Sequence, residues 1–522
     1  MTDTTQPTVP ASADKARART GIRGLDDILG GGLPQDRIFL VDGEPGTGKT
    51  TLALQFLLEA RDTGKPGLYV TLSETTEELH ATAESHGWTL DGIEIFELSA
   101  TGEGNEDEAY TLFHPAEVEL QQTMTTVFEA VTRLDPARVV FDSLSEMRLL
   151  ARDPLRFRRQ ILALKQFFVG RGCTVLLLDD RTAPEGDLQL HSLAHGVIQL
   201  EHMVMEYGSE RRRVQIKKLR GAQFRGGYHD FRIRTGGIDV FPRISSAVPA
   251  PQSLGDKVGS GSSELDDLLG GGIDCGTSML ITGPAGTGKT TLAAQYALQA
   301  AASGEHVLLF MFDERVTTFR ARAEGLGFDV ERRIGDGTLI IRQIEPAEVS
   351  PGEFAEEIVR GVENDDVRVV VIDSINGYMH AMPSERQLAV QIHELLSYLA
   401  NHRVTAILTL VQRGVFGSPI DELAEVSYLA DTVVLLRYFE FDGAVRQAVS
   451  VVKKRSGEHE HTIRECRIEH GGFKVGKPLR DFRGVLSGAP EYTGVDNPLM
   501  RRDNISQPHH DHQSQPADAR AP

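Results

Sequence analysis

The stretch VDGEPGTGKTT, Val41–Thr51, returns later in the chain as ITGPAGTGKTT, Ile281–Thr291. Gly43 to Thr50 reads G-x-x-x-x-G-K-[ST], and Gly283 to Thr290 reads the same. In such a loop the glycines let the backbone bend until successive N–H groups face phosphate oxygens. The helix that follows adds its positive amino-terminal end. The expected nucleotide contacts are Gly43, Gly46, Thr47, Gly48, Lys49, Thr50 and Thr51 in the first loop, and Gly283, Gly286, Thr287, Gly288, Lys289, Thr290 and Thr291 in the second. Lys49 and Lys289 are expected to reach the β- and γ-phosphates of ATP, and Thr50 and Thr290 to ligate Mg2+. One match can arise by chance in a glycine-rich turn. Two matches, each between a strand and a helix, point to a nucleotide site in each half.

The repeat is wider than the loops. Gly43 and Gly283 lie 283 − 43 = 240 residues apart, as do LDDILGGGL from Leu25 and LDDLLGGGI from Leu265. SETTEEL from Ser73 faces DERVTTF from Asp313 at the same offset. Solenoid units repeat every ~20–50 residues, so a repeat this long is a whole domain. Each half reads as an apolar strand into the loop (IFLVD, SMLIT), a helix (TTLALQFLLEAR, TTLAAQYALQAA) and a second strand (GLYVTL, HVLLFMF). An apolar run ending in Asp follows (RVVFDS, RVVVIDS), then a helix and another strand. This alternation predicts an α/β fold of two tandem P-loop NTPase domains, with mainly parallel sheets flanked by helices. The expected boundaries are a disordered lead-in over 1–15, a first domain over 16–245 and a Ser/Pro/Gly-rich linker over 246–262. A second domain is expected over 263–490, and a polar, disordered tail over 491–522.

A chain of 522 residues exceeds one ordinary core. Its 40% apolar and 25% charged residues fit a soluble globular protein. The net charge of −20 argues against a nucleic-acid partner, because phosphate neutralisation needs a basic surface. Cys173, Cys275 and Cys466 have no metal-type spacing and suit reduced thiols in the cytoplasm. No apolar run approaches the length of a membrane span, and the amino terminus lacks the apolar middle of a signal peptide. A cytoplasmic location without a membrane partner is therefore expected.

Asp142 and Asp373 end β-rich apolar runs, where a carboxylate beside the loop would contact Mg2+ through the ion's own ligands. Hydrolysis also needs a group that orients or deprotonates water. Glu74 and Glu314 follow the second strand at matched positions and can face the γ-phosphate. Asp313 precedes Glu314, whereas the first half has Ser73, so the two sites can differ in chemistry. The basic runs RRRVQIKKLRG (Arg211–Gly221) and VVKKRSG (Val451–Gly457) alternate apolar and basic residues, as an edge strand would. They lie too far along the chain to sit beside their own loop by local geometry. They are expected to serve a neighbouring subunit's nucleotide, as arginine fingers do, rather than to form a merely solvated face. Trp88 reads as a packing residue, GEGNEDE (Gly102–Glu108) as a solvated loop, and PHHDHQ (Pro508–Gln513) as tail rather than a metal site.

The residues GEPGTGKTTLALQF, the late KKLRG, and above all KKRSGEHEHTIREC followed by GKPLRDFRGVLSG resemble the KaiC family of circadian-clock ATPases, over residues 16–490. The phosphate loop alone indicates only a RecA-like ATPase; the KKRSG stretch and the doubled architecture are more specific. The resemblance implies a two-tier homohexamer of RecA-like domains with ATP between subunits. It matches Lys49, Thr50 and Asp142 to the first nucleotide site, and Lys289, Thr290 and Asp373 to the second. It matches Lys218 and Arg220, with Lys453 and Arg455, to residues that reach a neighbour's ATP. The family's paired catalytic carboxylates become Ser73-Glu74 and Asp313-Glu314. The family phosphorylates itself on an adjacent Ser-Thr pair, and EVSYLADT aligns Ser427 with the serine. Two positions depart from the pattern: Tyr428 replaces the acceptor threonine, and Asp313 is one methylene shorter than the family's base.

The implied protein is an ATPase and serine/threonine autokinase that acts as a signalling or clock-type switch with partner proteins. The alternatives are a RecA-like recombinase or helicase driven by nucleic acid, and a nucleotide-gated binding scaffold with little turnover.

Overall fold

The computed structural model describes residues 16–61, 64–98, 115–151, 153–181, 189–205, 208–244, 256–380, 388–412, 428–486 and 490–494. The expected lead-in, most of the linker and tail, GEGNEDE, PHHDHQ and Ser427 lie outside them. The chain divides into two compact units, residues 1–247 with 345–360, and residues 248–344 with 361–522.

Among the described residues, each unit is built on one nine-stranded sheet. In the first the order is Gly237–Phe241, Tyr228–Arg234, Arg211–Leu219, Gly196–Met203, Ile38–Gly43, Thr174–Asp179, Arg138–Asp142, Gly67–Thr71 and Ile93–Glu97. The six strands from Gly196–Met203 onward are parallel. The other three extend the sheet as an antiparallel meander. The second sheet has the same order and directions, with Ser278–Gly283 in place of Ile38–Gly43 and Val367–Asp373 in place of Arg138–Asp142. The phosphate-loop strand is central in both, and a central parallel strand must be apolar on both faces.

The alternation of side chains shows why. Phe39 and Val41, with Tyr69, Val140, Leu176 and Leu178, pack on Leu52, Leu54 and Phe56 of the helix Lys49–Leu58. Ile38 and Leu40, with Leu68, Val70, Val139, Phe141 and Leu177, pack on Phe157, Ile161, Leu164 and Phe168 of the helix Pro154–Phe168. In the second unit Met279 and Ile281 pack on Leu292 and Tyr296 of the helix Lys289–Ala302. Trp88 is a packing residue against the first core.

One expectation is corrected. The basic strands Arg211–Leu219 and Ala444–Lys454 are interior strands of the meanders, not edges. In Arg211–Leu219 the alternation marks one face packed on the core and one polar face, whereas four consecutive residues of the second strand, Ala448–Val451, are buried. Val214 and Ile216 join the core, while Gln215 between them is only half-buried.

The helix Arg23–Ile28 lies so close to the strand Gly237–Phe241 that a Cβ on Gly24 would stand 1.9 Å from the Val240 carbonyl oxygen. Backbone cannot yield as a side-chain end can. Gly24→Ala should therefore destabilise the first unit by roughly 1–3 kcal/mol, seen as a lower denaturant midpoint. An unchanged midpoint would contradict this packing.

Candidate active sites at the two phosphate loops

Each loop leaves the carboxyl end of a central strand and turns into a helix. Gly48 and Gly288 precede those helices with φ of 97°. That left-handed backbone is easy only for glycine. Thr47 and Thr287 pin the turns by donating to the carbonyls of Glu44 (2.8 Å) and Pro284 (2.9 Å). The Lys49 ammonium donates to the carbonyls of Gly43 and Glu44, both at 2.9 Å. The Lys289 ammonium does the same to Gly283 (3.0 Å) and Pro284 (2.8 Å). Burial pushes the Lys289 amine down to about 8.

A residue that sequence reasoning missed joins the first site. Asp180 Oδ1 lies 2.8 Å from Lys49 Nζ. It follows the strand Thr174–Asp179, which lies between the phosphate-loop strand and the Asp142 strand. The neighbouring carboxylates are also paired, Asp179 with Arg148 at 3.0 Å and Asp42 with Arg181 at 3.5 Å. The register puts Thr282, Leu410 and Val411 at the corresponding places of the second sheet, so this charged set belongs to the first half alone.

The expected catalytic carboxylates stand beside the loops. Glu74 is fixed from both sides. Its N–H donates to Thr71 Oγ1 at 2.9 Å, and Thr75 caps the helix Thr76–Ser85 in a reciprocal capping box with Glu78. Thr50 Oγ1 donates to Glu74 Oε1 at 3.4 Å. Glu74 Oε2 is buried and has no protein hydrogen-bond partner among the described residues. Burial first, then the nearby Asp142 carboxylate, push the Glu74 carboxyl up to about 7. Asp142 itself is raised by burial and accepts from the Tyr69 hydroxyl at 2.5 Å.

The second site has the same frame and different partners. Burial raises Asp373, which accepts hydrogen bonds from Thr409 and Thr290. Asp313 accepts a hydrogen bond from Ser374. Glu314 forms an ion pair with Arg322, 2.6 Å from Nη2 to Oε2. Burial still raises Glu314, and the guanidinium opposes it.

The late basic residues are not brought to their own loops. Lys218 stands opposite Val197, which pairs with Leu40, three residues before Gly43 on the loop strand. That places it about 10 Å back along the sheet from the loop. Lys218 donates to the carbonyls of His191 and Ala194, and Arg220 to that of Ser192. Lys453, opposite Val433, donates to the Ala430 carbonyl at 2.7 Å, and Arg455 to the Tyr428 carbonyl at 2.8 Å.

If Glu74 is the base, first-site turnover should fall as pH drops through about 7, because the protonated carboxyl cannot accept a proton. Glu74→Gln should remove most of that turnover. Without nucleotide, the same variant should melt at higher temperature than the parent at pH 8. Its advantage should vanish as pH falls to 4.5, the ordinary glutamate value, since the raised carboxyl destabilises the fold only where it is ionised. Phosphate release and thermal melting across pH check both, and a flat profile in each would remove Glu74 from the role.

A family model described as "ATPase: KaiC" matches residues 18–245 and again residues 258–480. The circadian clock oscillator protein KaiC of Thermostichus vulcanus is 29% identical over 500 residues, covering 94% of this chain and 95% of its own length. That of Synechococcus elongatus is 28% identical over 491 residues, covering 92% and 93%. The circadian clock protein KaiC3 of Synechocystis sp. is 27% identical over 487 residues, covering 91% and 95%. With the family model matched in both halves and each half carrying a complete phosphate loop, the chain belongs to the KaiC family of ATPases.

Proposed function

We propose that this protein hydrolyses Mg·ATP at both loops, at the subunit interfaces of a homohexameric ring, and phosphorylates itself on Ser427. The observation that carries hydrolysis is the convergence of Lys49, Thr50, Asp142 and Glu74 at one loop, with a buried, unpartnered Glu74 oxygen. In the proposed step Glu74 takes a proton from a water molecule as the water oxygen bonds to the γ-phosphorus. The bond to the bridging oxygen breaks, releasing ADP and phosphate. Thr50 and Thr290, each beside carboxylates, offer the oxygen donors Mg2+ takes, and the ion would neutralise charge on the phosphates.

The ring is supported by Lys218, Arg220, Lys453 and Arg455. They lie in the meanders, away from their own loops, where a neighbour's nucleotide can meet them. Lys453 and Arg455 also hold the carbonyls of Ala430 and Tyr428, next to Ser427 in the chain. In the transfer step the Ser427 oxygen would attack a neighbour's γ-phosphorus, with Asp313 or Glu314 taking its proton and ADP leaving. A phosphate there would carry about −1.5 to −2 charges beside this basic pair and shift ring stability. Relatives named as clock proteins favour a signalling or clock-type switch that works with partner proteins. The domain boundaries we propose are 16–245 and 263–490.

Size-exclusion chromatography with ATP should show assembly, impaired more by Lys49→Ala than by Lys289→Ala. A parent that stays monomeric at high ATP would end the ring proposal. Turnover should be indifferent to single-stranded DNA; strong stimulation would favour a nucleic-acid motor. Phosphopeptide analysis after long incubation with Mg·ATP should find one main site, Ser427, and its absence would leave an ATPase without kinase activity.

A further inference from the structure

The two sites share a backbone and differ in the charge facing the candidate base. In the first, the charges among the described residues that raise the Glu74 carboxyl are the acids Asp142, Glu78 and Asp180. In the second, Glu314 faces Arg322 at 2.6 Å, with Asp373 behind it, while Asp313 is turned to Ser374. Arg322 lies on the helix Val316–Gly325, 322 − 240 = 82, so its counterpart on Thr76–Ser85 is Thr82. A threonine cannot reach across to the carboxylate.

Arg322 is not a loose surface cation. Its Nη1 also reaches Thr291 Oγ1 of the phosphate-loop helix at 3.5 Å, and its guanidinium stands 5.9 Å from the centre of the Phe319 ring. It spans the loop helix, its own helix and the strand end that carries Glu314. The pair is about one-third exposed, with side-chain exposures of 37% and 25%, so its contribution to stability is small. Its contribution to chemistry is a different quantity. A carboxylate that shares its oxygen with a guanidinium is a weaker base and is held away from water.

We infer that Arg322 is a positioning residue that restrains hydrolysis at the second site by holding Glu314 in an ion pair. The inference rests on the reading above that Glu314 is that site's base. It makes the second site the slower of the two, so that ATP stays bound there longer than in the first.

The test uses the full chain in a Glu74→Gln background, which keeps the first loop able to bind nucleotide while removing its turnover. Arg322→Thr, the first-half residue, should raise second-site phosphate release roughly threefold to tenfold, since a stronger base transfers the proton faster. It should also move the acid limb of the pH profile upward, because the guanidinium that opposed the rise is gone. Arg322→Lys, which keeps a cation, should stay near the slow rate with its limb unmoved. The reciprocal Thr82→Arg, in a Glu314→Gln background, should slow the first site. An unchanged or lower rate for Arg322→Thr with an unmoved limb overturns the inference. The control is the Glu74→Gln/Glu314→Gln double variant. If it turns over as fast as Glu74→Gln alone, the assignment of Glu314 fails and the inference falls with it. If it is inactive while Arg322→Thr has no effect, this inference alone fails. A thermal melt of Arg322→Thr beside the parent shows whether loss of the pair, rather than misfolding, accounts for the change.

Discussion

A buried ammonium is expensive unless its hydrogens meet oxygens, and each phosphate loop turns two of its own carbonyls onto its lysine. Lys49 has 7% of its side chain exposed. The carbonyls that receive it come from the loop that precedes it, so the loop must fold back over its own lysine. That return path needs the left-handed turn at Gly48, and the turn aims the start of the helix Lys49–Leu58 at the same space. Strand, glycine turn, lysine and helix are therefore one constraint. The second unit repeats it with Lys289 and Gly288.

What differs between the halves lies outside this constraint. The first loop gathers acids: Asp180 on Lys49, Asp42 and Asp179 at the neighbouring strand ends, and Glu74 with no ion pair among the described residues. The second replaces the strand-end acids with Thr282, Leu410 and Val411, and gives its glutamate an arginine. The shared frame binds the same kind of ligand, while the proton chemistry is set by side chains that the frame does not dictate.

This division explains what could be read in the chain before its fold was known. Features carried by local order were legible: the loops, the strand and helix alternation, Asp142 and Asp373 at strand ends, Glu74 and Glu314 after the second strand. Features that depend on which strands become neighbours were not. LLLDD shows two acids at the end of an apolar run, but only the sheet order puts Asp180 against Lys49. The basic strands looked like edges because alternation reports one polar face, and an interior strand of an antiparallel meander has one too. Arg322 carried no such signal: Glu314 lies in the turn before the helix Val316–Gly325, outside its period, and only the folded turn brings the carboxylate to the guanidinium.

The same reasoning bears on the late basic residues. A strand that leaves the loop's neighbourhood by two strand widths and about three residues cannot return a side chain to it. If Lys218 and Lys453 contact nucleotide, that nucleotide is not the one at their own unit's loop. In their own unit they already brace the carbonyls at 191–194 and at Ala430. A ring contact would therefore compete with an internal one, and the segments those carbonyls belong to would feel whether the neighbour's site is filled. In the second half that segment adjoins Ser427. A cation able to bond either a local carbonyl or a neighbour's phosphate would link occupancy of one subunit to backbone position in the next, without any further moving part.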